Sequence, residues 1–147
     1  MKSKKRSELS SSSKPREPFE IFIDRSLGRR IALPLVQAGA IVHLHDDHFE
    51  QNVDDEEWLQ EVGRRGWPVL TKDQKIRYRQ LEREALLNAN LKVFCFMSGN
   101  VTFSEMADII AKALPAIMKI AENHSPPFIA GIYKDASVRI ILGGAKS

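Results

Sequence analysis

The sequence predicts an α/β domain, a three-layer α/β/α sandwich with a mainly parallel central sheet. Three observations carry this prediction. Short apolar runs alternate with amphipathic helical segments, the run at 91–97 is apolar on both faces, and 147 residues with 43% apolar content can fill one core. Strands that alternate with helices favour parallel pairing, because each crossover helix returns the chain to the same sheet edge.

The elements follow in order along the chain. Residues 1–18 are rich in Lys, Ser and Pro and predict a disordered arm, so the domain spans 19–147. Strands are predicted at 19–23, 40–44, 67–71 and 91–97, with a closing pair at 128–133 and 137–142. Helices are predicted over about 29–37, 54–65 and 76–89, and from the capping box at Thr102 to at least Met118. A polar loop is predicted after residue 44.

The net charge of +3 is unevenly distributed. Residues 1–16 contain six of the 22 basic residues but one of the 19 acidic residues. The rest of the chain therefore has 16 basic and 18 acidic residues and is slightly acidic. Any affinity for RNA must come from a local patch or from the arm.

Composition also bears on location. The sequence has neither an apolar run long enough to span a membrane nor a secretory signal pattern. The single cysteine, Cys95, lies inside an apolar run, which predicts a buried, inert thiol. One cysteine cannot form an intramolecular disulfide and suits a reducing cytoplasm.

Acidic residues follow two of the predicted strands. Asp24 comes directly after the first strand, Asp73 lies just beyond the third, and an acidic cluster at 54–57 opens the helix between them. Binding sites in parallel α/β sheets form beyond the carboxyl ends of the strands, so Asp24 and Asp73 are expected at one edge. Converging carboxylates are ligands for Mg²⁺ or Mn²⁺, which would assist hydrolysis of a phosphodiester.

Each of these acids also has a purely structural interpretation. Asp54 and Glu57 fit a capping box, and acids in a first helical turn are stabilised by the helix dipole. Asp24 and Asp73 could each cap the helix that follows. The metal-site interpretation depends on the coincidence of all three positions.

Four segments resemble the compact PIN-like domain family, which includes the VapC-type toxins of bacterial toxin–antitoxin pairs. They are F-I-D-R-S-L-G at 22–28, D-E-E-W-L at 55–59, G-W-P-V-L-T-K-D at 66–73 and G-N-V-T at 99–102. The resemblance spans about residues 19–142. It implies a Mg²⁺-dependent endoribonuclease with an RNA substrate and an antitoxin partner.

The resemblance also implies roles for individual residues. The metal ligands would be Asp24, Asp55 and Asp73, with Glu57 as an alternative or additional catalytic acid. Asn100 would bind a water or a phosphate. The basic residues beside the acidic edge are expected to contact substrate phosphates; they are Arg25, Lys72 and Arg77. A fourth acid, which the family often has, is not identified.

Other features have simpler interpretations. The run of residues 43–48 contains three histidines and two aspartates, but zinc ligands are usually spaced over more than one segment. A metal role for that run is therefore not the favoured interpretation. Trp58 and Trp67 are expected in the core.

Two rival functions remain open. One is a catalytically degenerate PIN-like binding module that acts through a protein partner. The other is a phosphotransfer domain, which Asp24-Arg25-Ser26 argues against because a second acid of a D-x-D motif is missing. The edge strand and the long helix could also support a homodimer.

Overall fold

The computed structural model describes residues 18–50, 52–72 and 80–144, without the side chains of residues 55, 56 and 80–83. Most of the predicted arm, and the predicted site residues Asp73 and Arg77, lie outside the described residues. Six strands form one sheet in the order β2-β1-β3-β4-β5-β6. The strands are β1 (Glu20–Ile23), β2 (Ile41–Leu44), β3 (Val69–Thr71), β4 (Lys92–Phe96), β5 (Phe128–Ile132) and β6 (Val138–Gly143).

Neighbouring strands from β1 to β5 are parallel, and β6 is antiparallel to β5. Within the described residues, the connections contain five α-helices, which are α1 (Ala32–Gln37), α2 (His45–His48), α3 (Asp55–Arg65), α4 (Gln80–Asn88) and α5 (Phe103–Asn123). Thr102 and Glu105 form the predicted capping box at the start of α5. No helix in the described part of the chain is long and apolar enough to cross a membrane.

Two apolar clusters cover the two faces of the sheet. Ile21 and Ile23 of β1 pack in a cluster with residues of α1 and α5, such as Leu35 and Ile110. Phe22, between them in sequence, packs in the other cluster with residues of α3 and α4; this cluster also includes Trp58, Trp67, Leu86 and Cys95. Alternate side chains of β1 thus pack into the two clusters on opposite faces of the sheet. This arrangement confirms the three-layer α/β/α sandwich with a mainly parallel sheet.

The structure corrects several local predictions. The segment after β2 begins with the short helix α2 rather than a polar loop, since buried His45 anchors its first turn. Asp54 precedes α3 as predicted, but its side chain makes no capping hydrogen bond, so the capping-box prediction is wrong there. The first helical segment starts as a 3-10 turn, Arg29–Ile31.

The order of the strands defines the site. The chain runs from β1 to β2 on one side and then crosses to β3 on the other side, which makes β1 and β3 the topological switch point. Ile23 is in register with Leu70, so the residues that follow them, Asp24 and Thr71, emerge side by side. Ligands of doubly wound sheets bind at such a point.

Close packing between α3 and α4 gives a test of this architecture. A Cβ atom on Gly63 would overlap the backbone oxygen of Ala89. We expect Gly63→Ala to lower the free energy of unfolding by about 1–3 kcal/mol, because the helices must separate. Urea denaturation measures the change.

Gly99→Ala is the matched control, because nothing lies within 4 Å of its added Cβ and its φ is not positive. We expect that control to stay within about 0.5 kcal/mol of the parent. Equal stability of the two variants would contradict the close approach of α3 and α4.

Candidate functional site

Asp24 is fixed at the carboxyl end of β1 by contacts from both its backbone and its side chain. Its N–H donates to the carbonyl oxygen of Leu70 at 2.9 Å, which continues the pairing of β1 with β3. Its Oδ2 atom accepts hydrogen bonds from Ser26 Oγ and Thr71 Oγ1, each at 2.8 Å. The helix-capping interpretation of Asp24 is therefore wrong, since its carboxylate is bound by hydroxyl groups.

The two hydroxyl donors also contact each other. Ser26 Oγ and Thr71 Oγ1 are 3.2 Å apart, and the Lys72 N–H donates to Ser26 Oγ at 3.2 Å. Leu27 N–H donates to the Asp24 carbonyl oxygen at 3.1 Å and closes the turn that brings Ser26 back. We call Asp24, Ser26 and Thr71 the Asp24 cluster.

The Asp24 cluster offers a hard divalent cation one carboxylate, and no group of three candidate ligands occurs among the described residues. Both hydroxyl groups bind Oδ2, so these two hydrogen bonds orient the carboxylate without using Oδ1. Thr71 is only 5% exposed, so its hydroxyl group is fixed by neighbouring protein atoms rather than by contacts with solvent. A preoriented carboxylate oxygen at a strand end is the kind of ligand that Mg²⁺ or Mn²⁺ takes.

A depression of about 230 Å³ opens beside Asp24, between the ends of β1 and β2. Arg25, Arg29, His45 and Asp46 line it together with Asp24. Arg25 Nε lies 3.7 Å from Asp46 Oδ1, and Arg29 Nη2 lies 3.1 Å from Asp47 Oδ1. These pairs are exposed, so each contributes little to stability.

The remaining predicted residues are distributed around this edge. Lys72 follows β3 and is exposed, and exposed Asn100 lies between β4 and α5. Asp55 begins α3, while Glu57 lines a second depression of about 600 Å³ whose lining does not include Asp24. The structure therefore groups Asp24 with Arg25 but does not group it with Glu57.

Sequence reasoning missed Ser26 and Thr71 as donors to Asp24. Both lie inside segments that it singled out, F-I-D-R-S-L-G and the T-x-D end of the third strand. The Ser26 hydroxyl reaches the carboxylate through the local turn, whereas the Thr71 hydroxyl reaches it because β1 and β3 are neighbours. The available signal was a hydroxyl residue near each of two converging strand ends.

The histidine-rich run at 43–48 does not form a metal centre among the described residues, where no group of three candidate ligands occurs. His43 stacks on Trp67 with ring centroids 3.6 Å apart, and its Nε2 lies 3.0 Å from Glu20 Oε1. Its Nδ1 lies 3.2 Å from His48 Nε2. Desolvation, together with neighbouring His43 and Arg65, lowers the pKa of His48.

Comparison with known proteins adds two positive findings. A family model described as "PIN like domain" matches residues 19–98. A Mycobacterium tuberculosis protein named "Putative ribonuclease VapC45" is 29% identical over 126 residues, which cover 82% of this chain and 91% of that protein. No solved structure matches the chain.

The bond between Asp24 and Thr71 is testable by a double-mutant cycle. We expect Asp24→Ala and Thr71→Val to be coupled by about 1 kcal/mol in unfolding free energy. Either substitution alone removes the hydrogen bond between the two residues, so the second substitution cannot remove it again. Denaturant unfolding of the parent, both single variants and the double variant gives the coupling.

Asp24→Ala combined with Ser137→Ala is the control cycle. Ser137 binds Asp135 in the turn after β5, and β3 and β4 separate β5 from β1 in the sheet. The control effects should add within about 0.5 kcal/mol. Additive behaviour of the Asp24 and Thr71 variants would contradict the hydrogen bond.

Proposed function

The chain belongs to the PIN-like domain family, and from that membership and the Asp24 cluster we propose that it is a metal-dependent endoribonuclease. It hydrolyses RNA phosphodiester bonds and acts as the toxin of a toxin–antitoxin pair. The observation that carries the proposal is the orientation of the Asp24 carboxylate at the β1–β3 switch point. The name of the Mycobacterium tuberculosis relative supports the same activity.

Asp24, Asp55 and Asp73 hold the cation in this proposal. Bound Mg²⁺ or Mn²⁺ supplies charge that favours ionisation of a water and stabilises the leaving oxygen of the phosphodiester. Carboxylate oxygens suit either ion, so the donor set does not distinguish them.

The protein groups around the cation have separate roles. Ser26 and Thr71 hold Asp24 Oδ2, which fixes the direction of Oδ1 before the substrate arrives. One carboxylate of the site orients the attacking water and accepts its proton. Preorientation matters because a carboxylate that must first reorient would add that cost to the reaction barrier.

The substrate is held through its phosphates. Arg25 lines the depression beside Asp24, where its guanidinium group binds a substrate phosphate in this proposal. Lys72 and Arg77 contribute further cationic contacts, and the Asn100 amide binds a water or phosphate oxygen. The basic arm at residues 1–16 adds sequence-independent attraction to RNA.

The partner and the location belong to the same proposal. A toxin ribonuclease must be kept inactive by an antitoxin, and we place such a protein as the partner of this chain. Its RNA substrates lie in the cytoplasm, which suits a chain whose single cysteine, Cys95, is a buried thiol.

Replacing the Asp24 carboxylate tests the activity. We expect Asp24→Asn to reduce Mg²⁺-dependent cleavage of single-stranded RNA at least about 100-fold, because a ligand worth several kcal/mol of transition-state stabilisation is lost. The assay follows a labelled oligoribonucleotide by gel electrophoresis with Mg²⁺, with Mn²⁺ and with EDTA.

Asp108→Asn is the matched control, since Asp108 is an exposed aspartate on α5. It should cleave at the parental rate. Folded Asp24→Asn protein that cleaves as fast as the parent would refute the proposal. A parent chain that binds Mn²⁺ weakly and cleaves no RNA would favour the degenerate binding module.

A further inference from the structure

A tyrosine and an arginine form a stacked pair at the same edge of the sheet as Asp24. Tyr133 directly follows β5, and Arg139 of β6 is in register with Gly131 of β5. The guanidinium carbon of Arg139 lies over the Tyr133 ring, 4.4 Å from its centre. This is a cation–π contact, so the ring holds the guanidinium group in one place on the surface.

The glycine opposite Arg139 makes room for the ring. A Cβ atom on Gly131 would lie 2.9 Å from Tyr133 Oη and 3.0 Å from both Ile141 Cδ1 and Met97 Cγ. A side chain at this position would therefore displace the tyrosine. A glycine inside a strand costs stability, and it often marks a place where a ligand approaches the sheet closely.

Arg139 is exposed and is held by a ring rather than by an acid. Arg25 and Arg29 pair with aspartates of α2, whereas Arg139 forms no ion pair within the described part of the chain. Asp135, in the same turn, accepts hydrogen bonds from Ser137 Oγ and N at 2.6 and 3.0 Å. The guanidinium group of Arg139 thus presents its N–H groups and its outer face to a ligand.

The chemistry of this surface favours an unpaired nucleobase. Bases of single-stranded RNA stack on aromatic rings and on the planes of arginine side chains. Ile141, two residues beyond Arg139 in β6, is 39% exposed and adds an apolar contact. A phosphate would need the charge of Arg139 but not the ring beneath it.

The pair lies within reach of an RNA strand bound at Asp24. The carboxyl ends of parallel β1 and β5 are at the same edge, with β3 and β4 between them. Three strand spacings of about 4.8 Å place the two sites roughly 14 Å apart. A few nucleotides of an extended strand span this distance. Lys72 and Asn100 follow the two intervening strands and are exposed.

We propose that Tyr133 and Arg139 form a base-binding subsite for single-stranded RNA, a few nucleotides from the phosphodiester bond that is cleaved. The base stacks on the outer face of the Arg139 guanidinium group, and Ile141 contacts its edge. Tyr133 is the positioning residue that supports the guanidinium group from below. This inference rests on the proposed function, because it takes RNA as the molecule that lies along this edge.

Arg139→Lys separates stacking from charge, because lysine keeps the charge but lacks the guanidinium plane. We expect this variant to bind oligouridylate about 5–100-fold more weakly than the parent, the loss expected for one stacked base. It should bind an abasic ribose-phosphate oligomer of the same length like the parent, because the charge is unchanged. Fluorescence anisotropy of the labelled oligomers measures both affinities for the full chain in EDTA, where metal-dependent cleavage stops.

Arg65→Lys is the matched control. The guanidinium carbon of Arg65 lies 4.9 Å from the ring centre of Trp67, which precedes β3 and so lies at the opposite edge of the sheet. This variant should bind both oligomers like the parent.

Two substitutions of Tyr133 test its positioning role. Tyr133→Phe keeps the ring and should retain the affinity for oligouridylate. Tyr133→Leu removes the ring and should lose affinity for oligouridylate, but not for the abasic oligomer, as Arg139→Lys does. Thermal unfolding shows whether each variant is folded, and Arg139→Lys tests the subsite independently of the tyrosine.

The outcomes distinguish this inference from the proposed function. Weaker binding of oligouridylate alone by Arg139→Lys, but not by Arg65→Lys, supports the subsite even if the chain cleaves no RNA. Parental affinity of Arg139→Lys for oligouridylate overturns it, even where the parent cleaves RNA. Equal losses for oligouridylate and the abasic oligomer also overturn it, because Arg139 would then bind a phosphate. Parental affinity of folded Tyr133→Leu overturns the positioning role of the tyrosine.

Discussion

The hydrogen bond from Thr71 to Asp24 joins the ends of β1 and β3, the two strands at the topological switch point of the sheet. It forms because β1 and β3 are parallel neighbours with Ile23 opposite Leu70. The backbone bond from Asp24 N–H to Leu70 O holds the same junction. The direction of the Asp24 carboxylate is therefore set by the register of the sheet rather than by a mobile loop.

Burial on both faces makes that register strict. Side chains of β1 alternate between the two apolar clusters, so a shift by one residue would exchange Phe22 with Ile21 and Ile23. Such a shift would also move Asp24 away from Thr71. The apolar packing that stabilises the fold thus also fixes the geometry of the candidate site, which rigid elements can hold more precisely than loops.

Much of the fold could be predicted from local patterns. Apolar runs located all six strands, and the acids after β1 and in the acidic cluster were identified because strand ends and helix starts are visible in sequence.

Contacts between distant segments could not be identified in this way. The hydroxyl group of Thr71 meets Asp24 only through the pairing of β1 with β3, and there it joins the local hydrogen bond from Ser26. His45 looked like part of a polar loop because its burial depends on Trp58 and Phe49 from later elements. At Asp54 the pattern of a capping box was present without the hydrogen bond, since a four-residue motif does not determine side-chain orientation.

The central claim is that the Asp24 carboxylate, held by Ser26 and Thr71, directs its other oxygen at a divalent cation. The most direct measurement is anomalous X-ray diffraction from crystals of the full chain soaked in Mn²⁺. The claim predicts a peak within about 2.5 Å of Asp24 Oδ1, an inner-sphere distance, with Oδ2 still bound to both hydroxyl groups. A fully occupied Mn²⁺ site that does not include Asp24, or no site at all at millimolar Mn²⁺, would contradict it.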